Sequence, residues 1–389
     1  MGKNLLITMS GGTTCVINAT LVGIIQESRK SGEINKIYAG RNGLPGVFAN
    51  DLVDLSNISE EELNRIYYTP TSGYIGTSRI KFLDETEMQQ LAQKFSENDI
   101  SYFFNIGGNG TIKQSMAISQ AVKDVKVVSI AKTVDNDLGD QEFEKVYFTP
   151  GYPSCANYWL HKTHIFNQEN IGAHSHDQVI VSQTFGRETG HLAACARLAD
   201  PQRKMPLLIL LPEDQRSTDE LISAVKQTIK LHKRAMIVMS EGYHISDIGE
   251  RNDLSGQIMY GSSTTTQAQN LVNLLCGIGI QARAFIPGYD QRDEILLASE
   301  YDLKYACGVG SYAVQKVLEG EGSFLSSISS NTRGDITYIM VPFAEIGDFS
   351  RRLPGRWIRY GEFDVTDAFV DYAMPLVGKG LVGRRFYWE

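Results

Sequence analysis

Asn4-Leu5-Leu6-Ile7-Thr8-Met9-Ser10-Gly11-Gly12-Thr13-Thr14 decides the fold of this chain. Asn4 to Met9 is an apolar run of strand length, Ser10-Gly11-Gly12 is a turn, and Val16 to Ser28 carries apolar residues at helical spacing. A strand that passes through glycines into a helix is the opening βα unit of a phosphate-binding α/β domain, because glycine lets backbone N–H groups approach an anion at the helix start.

The pattern recurs along the chain. Strands are expected at Lys36 to Ala39, Tyr102 to Ile106 and Lys126 to Ile130, with helices at Glu60 to Arg65, Thr86 to Glu97 and Thr111 to Val122. A second series places strands at Gln178 to Ser182, Leu207 to Leu211 and Ala235 to Met239. Its helices lie near Ser154 to Thr163, His191 to Ala199, Asp219 to His232 and Ser262 to Cys276. Alternation of this kind predicts an α/β protein with parallel-rich sheets and helices on both faces. At 389 residues the chain exceeds the usual size of one core, so two similar lobes are expected, divided between Tyr147 and Tyr152, where Thr149-Pro150-Gly151 interrupts the pattern.

Bulk properties exclude several classes. With 42% hydrophobic and 21% charged residues the composition is that of a soluble globular protein, and no apolar run approaches the roughly 18 residues of a membrane span. The apolar stretch at the start is too short for a secretory signal, so a cytoplasmic protein is expected. A net charge of -8 without a basic block argues against nucleic-acid binding. Cys15, Cys155, Cys195, Cys276 and Cys307 are scattered, as reduced thiols would be, and the histidines form no metal signature.

Lys132-Thr133-Val134-Asp135-Asn136-Asp137 follows the apolar run Val125 to Ile130, which puts two carboxylates at the carboxyl end of a strand, where open α/β sheets bind ligands. One acid can take a proton from an attacking hydroxyl, the other can handle metal or orient substrate, and the lysine can neutralise a transferring phosphoryl group. Gly107-Gly108-Asn109-Gly110-Thr111 is a second strand-to-helix glycine turn, and Gly76-Thr77-Ser78-Arg79 adds a guanidinium suited to phosphate. Phe185-Gly186-Arg187, Ser240-Glu241-Gly242 and Pro287-Gly288-Tyr289-Asp290-Gln291-Arg292 each follow a strand-like run. An acid among arginines suits a sugar phosphate, whose hydroxyls need acceptors and whose phosphate needs cations. Singly, each of these also reads as an ordinary turn or surface charge.

Taken in order, these motifs resemble the 6-phosphofructokinase family over nearly the whole chain. Ser10-Gly11-Gly12, Gly76 to Arg79, Gly107 to Thr111, Ala131 to Asp137, Phe185-Gly186-Arg187, Ser240-Glu241-Gly242 and Gly288 to Arg292 each match a family motif in sequence. The resemblance implies the phosphofructokinase fold of two Rossmann-like lobes, one of 1–147 with about 286–340 for the donor and one of 148–285 with about 341–389 for the acceptor. It implies phosphoryl transfer from pyrophosphate or ATP to a sugar-phosphate hydroxyl, with fructose 6-phosphate the leading acceptor, in glycolysis and with Mg²⁺.

By the same resemblance, Asp135, Lys132, Thr133 and Arg79 perform the transfer, with Asp135 as base. Gly11, Gly12, Gly108, Asn109, Gly110 and Thr111 bind the donor, and Asn109 and Asp137 hold the metal. Thr133, Asp135, Asp137, Phe185, Gly186, Arg187, Glu241, Arg283, Tyr289 and Arg292 bind the acceptor, and a homodimer or homotetramer is implied. Some positions depart from the family. Lys132 matches the pyrophosphate-dependent branch, whereas Gly110 matches the ATP type and Asn109 replaces the usual metal-binding aspartate. Gln178 stands where fructose 6-phosphate enzymes carry a basic residue, Phe185 replaces methionine and Gln183 replaces glutamate. These departures leave two alternatives, a kinase with another acceptor and a regulatory homologue that binds a sugar phosphate without transfer.

Overall fold

The structure is a computed structural model and describes residues 3–80, 82–253, 256, 258–331, 335–347 and 350–378. Its strands are β1 (Lys3–Met9), β2 (Ile34–Gly40), β3 (Leu52–Asp54), β4 (Ile100–Gly107), β5 (Lys126–Ala131), β6 (Val179–Thr184), β7 (Leu207–Leu210), β8 (Ala235–Ser240), β9 (Ala282–Phe285), β10 (Phe324–Ser330), β11 (Ile336–Pro342), β12 (Ile358–Arg359) and β13 (Asp364–Val365). The helices are α1 (Ile17–Ser31), α2 (Leu44–Phe48), α3 (Glu60–Tyr67), α4 (Glu85–Glu97), α5 (Asn109–Ala121), α6 (Tyr152–Ala173), α7 (His191–Ala194), α8 (Thr218–His232), α9 (Gln267–Gly277), α10 (Asp290–Asp293), α11 (Glu300–Leu318) and α12 (Asp367–Val377). The chain divides into two compact units, Met1–Pro153 with Arg292–Ser350 and Ser154–Gln291 with Arg351–Glu389.

The first unit is built on a seven-stranded sheet in the order β11-β10-β5-β4-β1-β2-β3. β1, β2, β4, β5 and β10 run parallel, and β3 and β11 are antiparallel edges. Leu5, Leu6, Ile7, Phe103, Phe104, Val127 and Val128 are all buried, the near-continuous apolar run of strands covered on both faces. The chain leaves β1 toward β2 on one side and returns to β4 on the other. That reversal between β1 and β4 is a topological switch point, where the loops at the carboxyl ends part and leave room for a ligand.

Strands β3, β10 and β11 of this sheet and the helix α11 that packs on it are absent from the sequence reading. β10 reads Phe-Leu-Ser-Ser-Ile-Ser-Ser, yet its serines are largely buried, because Ser326 donates to Val309 O at 2.9 Å and Ser329 to the carbonyl of Glu144. Helix α11 contains Gly308 and Gly310, which weaken its helical signal. A Cβ at Gly310 would lie 2.4 Å from Thr20 O, so the glycine is what lets α1 pack against α11.

The second unit carries a four-stranded parallel sheet, order β7-β8-β6-β9, and a two-stranded β12-β13 ribbon from the carboxyl-terminal segment. Arg197, 2% exposed, holds that segment by donating to Asp364 at 2.8 Å and to Asp200 at 3.1 Å, and Arg203 adds a contact to Asp364 at 2.9 Å. Helix α6 runs ten residues past the expected end at Thr163, because no glycine or proline breaks it before Gly172. The expected helix from His191 to Ala199 splits into α7 and a 3₁₀ segment, Cys195–Ala199. Among the described residues no helix is long and apolar enough to cross a membrane.

Candidate active site

From Lys132 to Leu138 the first unit's loop after β5 alternates, with Lys132, Val134, Asn136 and Leu138 buried and Thr133, Asp135 and Asp137 half-buried. Burial of Val134 and Leu138 alternates with the partial exposure of Asp135 and Asp137, so the apolar residues anchor a loop whose acids remain accessible. Asn136 sits in the left-handed region, φ 54°, and its Oδ1 accepts the Thr149 N–H at 3.2 Å. Asparagine tolerates that backbone better than most residues. Thr133 N–H donates to Pro150 O at 3.2 Å and Thr149 Oγ1 to Thr133 O at 2.8 Å, so residues 149–150 line the loop's buried edge. The anchoring role of Asn136 escaped the sequence reading. Its signal was an asparagine wedged between two acids that share a face.

Lys132, 3% exposed, reaches the first glycine turn, where its Nζ donates to Ser10 O at 3.1 Å and to the Gly12 carbonyl. Burial is the main force that lowers its pKa to about 7, the neighbouring Arg292 and Arg79 lower it further, and Asp135 and Asp137 oppose them. The glycine turn, the lysine and two guanidiniums thus form one positively charged patch.

Arg79 reaches the patch on a turn tied to β1. Gly11 N–H donates to Ser78 O at 2.8 Å, and Ser78 N–H returns a bond to Met9 O at 3.3 Å. Arg292 reaches it from α10, where a Cβ on Gly12 would lie 2.8 Å from the Arg292 Nη1. Cys15 N–H donates to Arg292 O at 2.8 Å and Thr13 Oγ1 to Asp293 at 2.9 Å, which fastens Arg292 to the turn. Sequence matching grouped Arg292 with Tyr289 and Arg187. In the structure it joins the Gly12 turn.

The second glycine turn makes Gly108 the N-cap of α5, with no capping side chain and no acid of the helix's own in the first turn, so the positive end of the helix is open to an anion. Gly108 abuts Lys132 O and Thr133. Asn109 Nδ2 donates to both the backbone oxygen and Oδ2 of Asp137, each at 3.3 Å. Gly110 and Thr111 follow in the first turn of α5, and Thr111 is buried. The described residues contain no group of three or more His, Cys, Asp or Glu side chains able to hold a metal.

In the second unit, the loops leaving β6 and β8 interlock. Ser240 Oγ donates to the Gly186 carbonyl, Gly242 N–H donates to Gly186 O at 3.2 Å, and Glu241 N–H to Thr184 O at 3.0 Å. Glu241 is buried and Arg187 half-buried. Phe185 N–H donates to Gln291 Oε1 at 2.9 Å. Gln183 is structural, accepting the Ala268 N–H at 3.0 Å in the first turn of α9. Tyr289 is 66% exposed. Arg283 lies elsewhere, paired with Ile180 near the amino end of β6 and bridged to Asp177 at 2.8 Å. Gln178, just before β6, donates to Lys233 O at 3.3 Å at that same end.

A family model described as phosphofructokinase matches residues 4–317. The chain belongs to the phosphofructokinase family. This phosphofructokinase is 30% identical to a pyrophosphate–fructose 6-phosphate 1-phosphotransferase of Methylococcus capsulatus, over 96% of this chain and 91% of that one. It is 26% identical to a sulfofructose kinase of Alkalicoccus urumqiensis, covering 89% of each. Among solved structures it superposes on the pyrophosphate-dependent phosphofructokinase of Nitrosospira multiformis with a TM-score of 0.87 and 28% identity, over 98% of this chain and 93% of that one. The solved likeness covers the parallel-rich sheets and helices of both units of this phosphofructokinase.

Proposed function

We propose that the chain transfers the terminal phosphoryl group of pyrophosphate to a hydroxyl of fructose 6-phosphate, giving the bisphosphate. One observation carries the reading. Lys132, Arg79 and Arg292 bring positive charge to the Gly11-Gly12 turn while Asp135, on the adjoining loop, stands as a carboxylate for the acceptor's proton. Pyrophosphate is the donor named for the relatives of Methylococcus capsulatus and Nitrosospira multiformis, and Lys132 is the residue that pointed to it.

In this mechanism Gly11, Gly12, Gly108, Asn109, Gly110 and Thr111 hold the diphosphate by backbone and helix-end contacts. The acceptor hydroxyl gives its proton to Asp135 as its oxygen attacks the terminal phosphorus in line, and the phosphorus–oxygen bond to the leaving phosphate breaks. Lys132, Thr133, Arg79 and Arg292 offset the charge that shifts onto the leaving group. Arg187 and Glu241, with Phe185, Gly186 and Tyr289, hold the sugar phosphate. Asp137 would be the one carboxylate on Mg²⁺, an ion that leaves its other positions to water and phosphate oxygens. Asn109 would join through Oδ1 only with its amide turned from the orientation in which Nδ2 donates to Asp137. When bound, Mg²⁺ neutralises the diphosphate.

We assign the working form to a homodimer or homotetramer. Arg283, 69% exposed by side chain, lies at the amino end of a sheet whose carboxyl end carries Arg187 and Glu241, so its part in holding a phosphate is to serve a second copy. A second reading, a kinase with another acceptor, is favoured by Gln178, which offers no charge where a basic residue is usual, and by the likeness to a sulfofructose kinase.

The test is product formation from fructose 6-phosphate, Mg²⁺ and either pyrophosphate or ATP. Asp135→Asn is expected to lower kcat by a factor of about 100 or more. An unchanged rate removes Asp135 as base, and an inert fructose 6-phosphate beside an active analogue selects the second reading.

A further inference from the structure

A chain of buried polar side chains crosses the first unit, and one branch reaches the donor turn, where Ser115 Oγ donates to Thr111 O at 2.8 Å. Thr8 Oγ1 in β1 donates to Asn105 Oδ1 in β4 at 3.0 Å. Asn105 Nδ2 donates to Gln114 Oε1 in α5 at 3.0 Å and to Ser115 Oγ at 3.3 Å. Gln114 Nε2 then donates to the carbonyl of Ile80 at 2.8 Å. Asn105 is 0% exposed and Gln114 4%, so each would cost stability if left unsatisfied, and apolar residues would fill the same volume more cheaply. A network of this kind holds geometry rather than adding net stability.

Its end-point is informative. Ile80 is the neighbour of Arg79, whose other neighbour, Ser78, is tied to Met9 and Gly11 of the first glycine turn. The backbone carrying Arg79 is therefore gripped on both sides, by the end of β1 and by Gln114. The second grip comes from α5, the helix that starts at the Gly108 turn.

We propose that Gln114, held by Asn105, is a positioning residue for Arg79 and couples the donor-binding helix to the guanidinium that offsets charge during transfer. The inference rests on the transfer role given to Arg79 above. Gln114 touches no substrate. It fixes the Ile80 carbonyl and so limits how far the Arg79 backbone can swing from the Gly11-Gly12 turn.

A double-mutant cycle on kcat tests it, with pyrophosphate and fructose 6-phosphate as substrates. Gln114→Met keeps the volume and removes the bond to Ile80 O. It should lower kcat about tenfold with little change in either KM, consistent with the loss of one positioning hydrogen bond. In an Arg79→Ala background, Gln114→Met should add no further loss. Multiplicative losses in the double variant or an unchanged kcat in Gln114→Met overturn the proposal. A wild-type rate in Arg79→Ala alone overturns the role of Arg79 and the proposal with it, which separates the two failures.

Discussion

Lys132 Nζ lies 3.1 Å from Ser10 O, so the amine of the acid-bearing loop after β5 braces the glycine turn at the end of β1, across the intervening β4. One side chain thereby joins the donor-binding turn to the loop that carries Asp135. The cost is an amine whose charged form is disfavoured by burial, Arg292 and Arg79, and an arriving anion, being of opposite charge, favours the protonated form.

That arrangement sets a pH dependence. Folding lowers the Lys132 pKa from 10.5 to about 7, chiefly by burial. Between those values the unfolded chain holds a proton that the folded one has released, so stability rises with pH across the window and this contribution is absent below about pH 7. Urea midpoints at pH 6.5, 8 and 9.5 should rise more steeply in the wild type than in Lys132→Met. Parallel curves would show that Lys132 does not titrate in this window.

The same variant should lose activity. Removing one preorganised cation from a transfer site costs about 100-fold or more in kcat. Steady-state rates with pyrophosphate check this, and Lys132→Met within a few-fold of wild type would assign the lysine to bracing alone.

Asn109→Asp should sharpen metal dependence. The amide of Asn109 donates to Asp137, and replacing it with a second carboxylate puts like charges about 3.3 Å apart, a pair that a divalent ion relieves. The Mg²⁺ concentration at half-maximal rate is expected to fall several-fold. A thermal melt should show destabilisation without Mg²⁺ and recovery with it.

Gly242→Ala should loosen the acceptor loops. A Cβ there would lie 1.9 Å from the Arg187 carbonyl oxygen, which is backbone and has to move. Displacing Arg187 is expected to raise KM for the sugar phosphate about tenfold while KM for the donor holds, with a destabilisation of about 1–3 kcal/mol from overpacking. Equal changes in both KM values would contradict the assignment of this loop to the acceptor.

Arg197→Met should detach the carboxyl-terminal segment. It leaves Asp200 and Asp364 buried without their central cation, and breaking such a buried pair from one side costs about 3–5 kcal/mol. Chemical unfolding would show the loss, and proteolysis should cut first within 351–378.

Local patterns made much of this legible. Strands β1, β4 and β5 and the turns at their ends could be read because apolar runs and glycines announce themselves within a few residues. Buried serines in β10 and glycines in α11 hid those elements, since their fit depends on partners far along the chain. Of the candidate site, the acids of the β5 loop were visible in number and spacing. Their shared face was not, because it depends on Asn136 taking left-handed backbone against Thr149.

The sequence by itself determined the α/β alternation, the glycine turns at strand ends and the ordered motifs of a phosphofructokinase, all of which are encoded by neighbours on the chain. Only the tertiary structure decided that Lys132 and Arg292 meet at the Gly12 turn, that Gln114 holds the Arg79 segment, and that Arg283 lies at the far end of its sheet from Glu241. Those relationships follow from strand order and from which side chains burial forces together. Residues more than a hundred positions apart meet through the packing of the whole unit, and spacing along the chain does not express it.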